Sequence, residues 1–105
     1  MTEDEEKLFE KAILTWGASD QVEMIIEEMS ELIVAIQHWK RNRCGTDKIL
    51  DELSDVGIMV DQLSLMMDNA GSVASRKRYM RHRSMKVNRL ADRIAGRKDT
   101  GNQGE

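Results

Sequence analysis

Three observations predict an all-α fold for this 105-residue chain: proline is absent, aromatic residues make up only 4% beside abundant Glu, Lys, Arg, Leu, Ile and Met, and apolar residues recur three and four apart. No segment requires a strand. The length suits one domain, assigned to residues 1–95, followed by a polar tail over 96–105 that is expected to be disordered. A bundle this small buries a modest fraction of its surface and gains from self-association, so a homodimer or homotetramer is expected.

Four helices follow in order. The first runs from about Glu3 to Leu14 on the stripe Leu8, Phe9, Ala12 and Ile13, and stops near Trp16-Gly17. The second covers roughly Gln21 to Arg41, with Val22, Ile25, Ile26, Met29, Leu32, Ile33, Ile36 and Trp39 at helical spacing. Ser19 or Asp20 is its expected cap, and Asp20 with Glu23 resembles a capping box. Asn42 to Gly45 break it. Thr46 is the expected cap of a third helix reaching about Asn69, with Ile49, Leu53, Val56, Val60, Leu63 and Met67 as its apolar set. Gly71 stops that helix and Ser72 opens a fourth, Val73 to Ala95, whose sparser stripe is Met80, Val87, Leu90 and Ile94.

The net charge of −3 conceals a strong polarity. Residues 1–70 carry 16 acidic against 6 basic side chains, a net of −10, whereas residues 71–105 carry 10 basic against 3 acidic, a net of +7. An acidic metal site beside a basic helix suits a polyphosphate ligand; a basic helix that binds nucleic acid is the competing account. A single cysteine, Cys44, excludes an internal disulfide framework and fits a reducing compartment. The N-terminus lacks a signal-peptide pattern, and no apolar stretch approaches the roughly 20 residues needed to span a bilayer. A soluble, cytoplasmic protein without membrane association is therefore expected.

The acidic residues of the second and third helices carry the chemistry. Glu28 and Glu31 share one helix face, as do Glu52 and Asp55, and facing helices would bring the two sets together as ligands of a divalent metal. Hard oxygen donors select Mg²⁺, with Mn²⁺ as a substitute, and neither thiolates nor clustered imidazoles suggest zinc. Glu52 falls inside the apolar arc of its helix, where its charge needs a cation such as Lys48, a metal or a proton. Solvated helix charge is the ordinary reading of a single such pair; two pairs, one of them inside an apolar stripe, favour metal. Glu27 and Glu31 are the candidates to accept a proton from an attacking water. Lys48 would neutralise phosphates, and the face formed by Lys86, Arg89 and Arg93 could line a cleft and do the same, although exposed helix arginines are usually solvated. Trp16 could stack on a base, although an aromatic in a small helical core more often packs, and Gln21, two turns before Glu28, could hydrogen-bond a base or sugar or simply meet solvent. His38 and His82 have no partners at metal-binding spacing.

The order E-E-x-x-E over Glu27 to Glu31, then E-x-x-D over Glu52 to Asp55, resembles the signature of the MazG-like all-α nucleoside triphosphate pyrophosphatases. Thr15-Trp16-Gly17 before Gln21, and Arg89-Leu90 before Arg93-Ile94, are similar to small stand-alone members. The resemblance spans about Leu8 to Ile94. It implies a four-helix-type bundle assembled as a dimer or dimer of dimers, with Glu28, Glu31, Glu52 and Asp55 as ligands of Mg²⁺. It further implies that Lys48 reaches phosphates and that a (d)NTP is hydrolysed to (d)NMP and pyrophosphate. The preferred base is open, as is the choice among nucleotide-pool cleansing, signalling and phage nucleotide metabolism. A non-catalytic oligomerisation or nucleic-acid-binding module built on the basic fourth helix is the alternative. A di-iron bundle is disfavoured, because Val34 and Asp55 stand where E-x-x-H would need histidine.

Overall fold

The computed structural model describes residues 1–96, and the part of the expected tail beyond Gly96 lies outside them. The described residues form four helices: α1 (Glu3–Trp16), α2 (Ala18–Lys40), α3 (Thr46–Ser64) and α4 (Ser72–Ile94). Strands are absent among the described residues, and no helix there is long and apolar enough to cross a membrane.

A capping box opens α1. The Glu5 N–H donates to the Thr2 hydroxyl oxygen at 3.1 Å while the Thr2 N–H donates to the Glu5 carboxylate at 2.9 Å, and four acidic residues face the positive end of the helix dipole. Gly17, at φ 90°, ends α1 through its N–H to the Ile13 carbonyl and also serves as the N-cap of α2. The second helix therefore starts three residues earlier than its spacing suggested. Ser19 and Asp20 lie within its first turn, and no side-chain cap forms there. Gly45 and Gly71 likewise take the N-cap positions expected of Thr46 and Ser72. The Ser72 hydroxyl is engaged elsewhere, donating to the Glu10 carboxylate and tying α4 to α1 beside an ion pair from Arg76 to Glu6 at 2.8 Å.

The third helix stops at Ser64 rather than near Asn69. Its last turn tightens, with Leu65 and Met66 N–H groups donating to carbonyls three residues back. Leu65 is buried, and the next free donor, Met67 N–H, is taken by the Ser75 hydroxyl at 2.7 Å. Asp68 completes the connection by accepting from Ala70 N–H at 2.8 Å and from Arg78 at 3.2 Å. The Ala70 bond first, then Arg78, hold its carboxyl below the ordinary value. Ser75 is only 1% exposed, so Ser75→Ala leaves the Met67 N–H without its acceptor. A loss of about 1–3 kcal/mol is expected from urea denaturation, and an unchanged midpoint would contradict this account of the turn.

The five-residue break between α2 and α3 makes them an antiparallel hairpin against which α1 is laid. The buried apolar side chains are Phe9, Ile25, Ala35, Met59 and Leu65, a small core for four helices. The Cys44 thiol, half-buried, donates to the Ala35 carbonyl at 3.7 Å. Beyond its first turns α4 departs from the rest: from Met80 to Ile94 every residue except Arg89 and Asp92 is exposed. The radius of gyration, 16.7 Å, exceeds the roughly 13 Å of a compact domain this size.

Candidate metal centre

The hairpin register brings Glu28 and Glu31 of α2 opposite the first half of α3. Candidate ligand oxygens of Glu28, Glu31 and Glu52 all lie within 4.8 Å of one another, as do those of Asp51, Glu52 and Asp55. Glu52 belongs to both groups. Its side chain is buried, with Oε1 accepting from the Lys48 ammonium at 2.9 Å. The Oε2 atoms of Glu28 and Glu52 are buried and accept from no donor. Burial first, then the charges of Glu31, Asp55, Glu52 and Glu27, push the Glu28 carboxyl above its ordinary value. The hydrogen bond to Glu52, followed by its charge, raises Lys48.

One ammonium does not offset this much negative charge. Buried carboxylate oxygens without donors are costly unless a cation meets them, and a donor set made only of carboxylate oxygens matches a hard divalent ion. Asp51 was not anticipated as a member of the cluster, although its position four residues before Asp55 puts the two on one helix face.

Glu27 is exposed and lines an adjoining cleft of about 470 Å³. Trp16 and Gln21 share this cleft with Asp20, Glu23 and Met24, while Met59 and Gln62 enter from α3. Gln21 is buried and its Nε2 donates to the Ala12 carbonyl at 3.5 Å. Lys86, Arg89 and Arg93 lie on the distal part of α4, and none is among the residues lining the cleft. Gln62 and the two methionines gave no sequence signal, since each reads as ordinary helix or core.

Fold and site define an all-helical protein with a carboxylate cluster between two antiparallel helices. Among known proteins, no family model, curated sequence or solved structure matches this chain.

Proposed function

We propose that this protein is a Mg²⁺-dependent nucleoside triphosphate pyrophosphohydrolase that converts a (d)NTP and water to (d)NMP and pyrophosphate, with Mn²⁺ able to replace Mg²⁺. The observation that carries the reading is the pair of buried, donorless Oε2 atoms of Glu28 and Glu52 within a carboxylate cluster. Support also comes from the E-E-x-x-E and E-x-x-D motifs and their resemblance to the MazG-like all-α pyrophosphatases.

Glu28, Glu31, Glu52 and Asp55 would hold the ion, and Asp51 stands beside them. Bound there, Mg²⁺ supplies Lewis acidity toward the phosphate oxygens and acidifies a water. Glu31, exposed at the edge of the cluster, is placed to take a proton from the attacking water, and Glu27 offers a second carboxylate on the cleft side. The Lys48 ammonium, half in solvent, offsets charge on the phosphates. Trp16 and Gln21 form the side of the cleft where a base would lie.

The test is product analysis on a panel of ribo- and deoxyribonucleoside triphosphates. Equimolar monophosphate and pyrophosphate, formed with Mg²⁺ or Mn²⁺ and suppressed by a chelator, are expected. Release of diphosphate and orthophosphate, or no turnover of any triphosphate, would refute the reaction.

We further infer that the working unit is an assembly of copies of this chain, in the cytoplasm. Val22, Ile26, Met29, Ile33 and Ile36 recur at alternating spacings of four and three along α2, and all but Val22 are exposed in the single chain. A stripe of Met80, Val87, Leu90 and Ile94 on α4 is exposed as well. The acidic residues 1–70 and the basic residues 71–105 are complementary in charge, so α4 of one copy suits the α2–α3 surface of another. That packing offers Lys86, Arg89 and Arg93 a route to phosphates bound by a neighbouring copy.

A further inference from the structure

Gln62 has no part in the carboxylate cluster, yet its environment is unusual. It is 6% exposed, lines the cleft beside Glu27, and its buried Oε1 has no hydrogen-bond partner. An amide oxygen in that position lacks a donor, which buried polar groups normally find. Among described residues the cleft wall contains no Lys, Arg or His. Its polar lining is Asp20, Gln21, Glu23, Glu27 and Gln62, of which the three carboxylates can only accept while ionised. Met24 and Met59 give it polarizable apolar surface, and the Trp16 indole stands at its wall.

The position relative to the carboxylates is equally specific. Gln21 precedes Glu28 by seven residues, about 10 Å along α2, and Gln62 follows Glu52 by ten, about 15 Å along α3. In an antiparallel hairpin these displacements run toward the same end. The cleft therefore lies to one side of the carboxylate cluster, at the reach of a base whose phosphates occupy the cluster.

We propose that this cleft is the base subsite and that Gln62 selects bases bearing an exocyclic amino group, cytosine and adenine, over uracil and thymine. This inference rests on the proposed nucleotide reading of the carboxylate cluster. The exocyclic amino group supplies the donor that the Gln62 Oε1 lacks. Uracil and thymine place a carbonyl oxygen at the equivalent edge, where it meets an acceptor-lined wall. Turning the Gln62 amide end for end would present its NH₂ group instead, but the carboxylates of Asp20, Glu23 and Glu27 have no such alternative while ionised, and they add to the preference that Gln62 makes. Gln21 lacks this signature: its amide nitrogen donates to the Ala12 carbonyl at 3.5 Å, and its Oε1 is not a buried atom without a partner.

Equilibrium binding separates this inference from the chemistry. The full chain carrying Trp39→Phe leaves Trp16 as the only indole, and its fluorescence reports titrations with Mg²⁺ and the α,β-methylene analogues of dCTP, dATP, dUTP and dTTP. About tenfold tighter binding of the dCTP and dATP analogues is expected, the difference made by one well-formed hydrogen bond. Gln62→Leu, similar in volume, should reduce the preference to within about twofold. Asp20→Asn with Glu23→Gln, at exposed positions that folding tolerates, should weaken it as well. Equal affinity for all four analogues, a preference unchanged in both variants, or no saturable binding would overturn the subsite. Base-selective binding without hydrolysis of natural triphosphates would overturn the reaction and leave the subsite standing; hydrolysis without base-selective binding would do the reverse.

Discussion

Glu28→Gln and Glu52→Gln are expected to lower metal-dependent pyrophosphate release by more than about a hundredfold while the metal-free protein melts at the same temperature or higher. Loss of a partner behind a metal ligand typically costs 10–100-fold, and loss of a ligand itself should exceed that. The sign of the stability change follows from the surroundings. Glu28 sits in a field of carboxylates, and a neutral amide of the same shape relieves both its desolvation and its repulsion by Glu31, Asp55, Glu52 and Glu27. Glutamine at position 52 keeps an oxygen for the Lys48 ammonium. In the unsubstituted protein, saturating Mg²⁺ should raise the melting temperature by several degrees through linkage, and this shift should vanish in either variant. Thermal melts with and without Mg²⁺, run beside pyrophosphate assays, provide both readouts. Undiminished release, or an equal Mg²⁺ shift in all three proteins, would refute the assignment of these carboxylates.

Ile33→Glu is expected to convert the assembly to single chains of 12.0 kDa, read by light scattering after size exclusion. Ile33 is 61% exposed in the single chain, so a glutamate there meets solvent and costs little in folding. Within a packed seam the same carboxylate would be buried without a partner, a cost of about 3–5 kcal/mol, or two to four powers of ten in association constant. Ile33 lies about 140° around α2 from Glu28 at 100° per residue, so the substitution spares the carboxylate cluster. The unsubstituted protein should have at least twice the single-chain mass. A mass of 12.0 kDa for it, or an unchanged assembly in Ile33→Glu, would contradict the seam.

Much of the helical layout was legible because it depends on local preference and period. The absence of proline, the 3–4 spacing from Val22 to Ile36 and the Asn42 to Gly45 break specify helices without knowledge of their partners. Helix ends were less legible. Ser19, Asp20, Thr46 and Ser72 are good caps by residue type, yet Gly17, Gly45 and Gly71 take those positions and α2 starts three residues earlier. The stop of α3 at Ser64 depends on Ser75, eight residues beyond Met67, accepting a backbone hydrogen bond. No local pattern encodes such a contact.

The same division runs through the candidate site. Sequence alone determined the identity and spacing of the carboxylates, the inward position of Glu52 on its wheel, Lys48 one turn before it, and the opposition of charge between the two parts of the chain. These follow from the 3.6-residue period, which acts along a single helix. Tertiary structure decided that Glu28, Glu31 and Glu52 share a space of 4.8 Å, that Asp51 joins Asp55, and that two carboxylate oxygens are buried without donors. It also decided that Gln62 lines the same cleft as Trp16, and that the outer part of α4 is almost wholly exposed and lines no part of that cleft. These features depend on how helices distant in sequence are set against one another, and desolvation arises only when they meet.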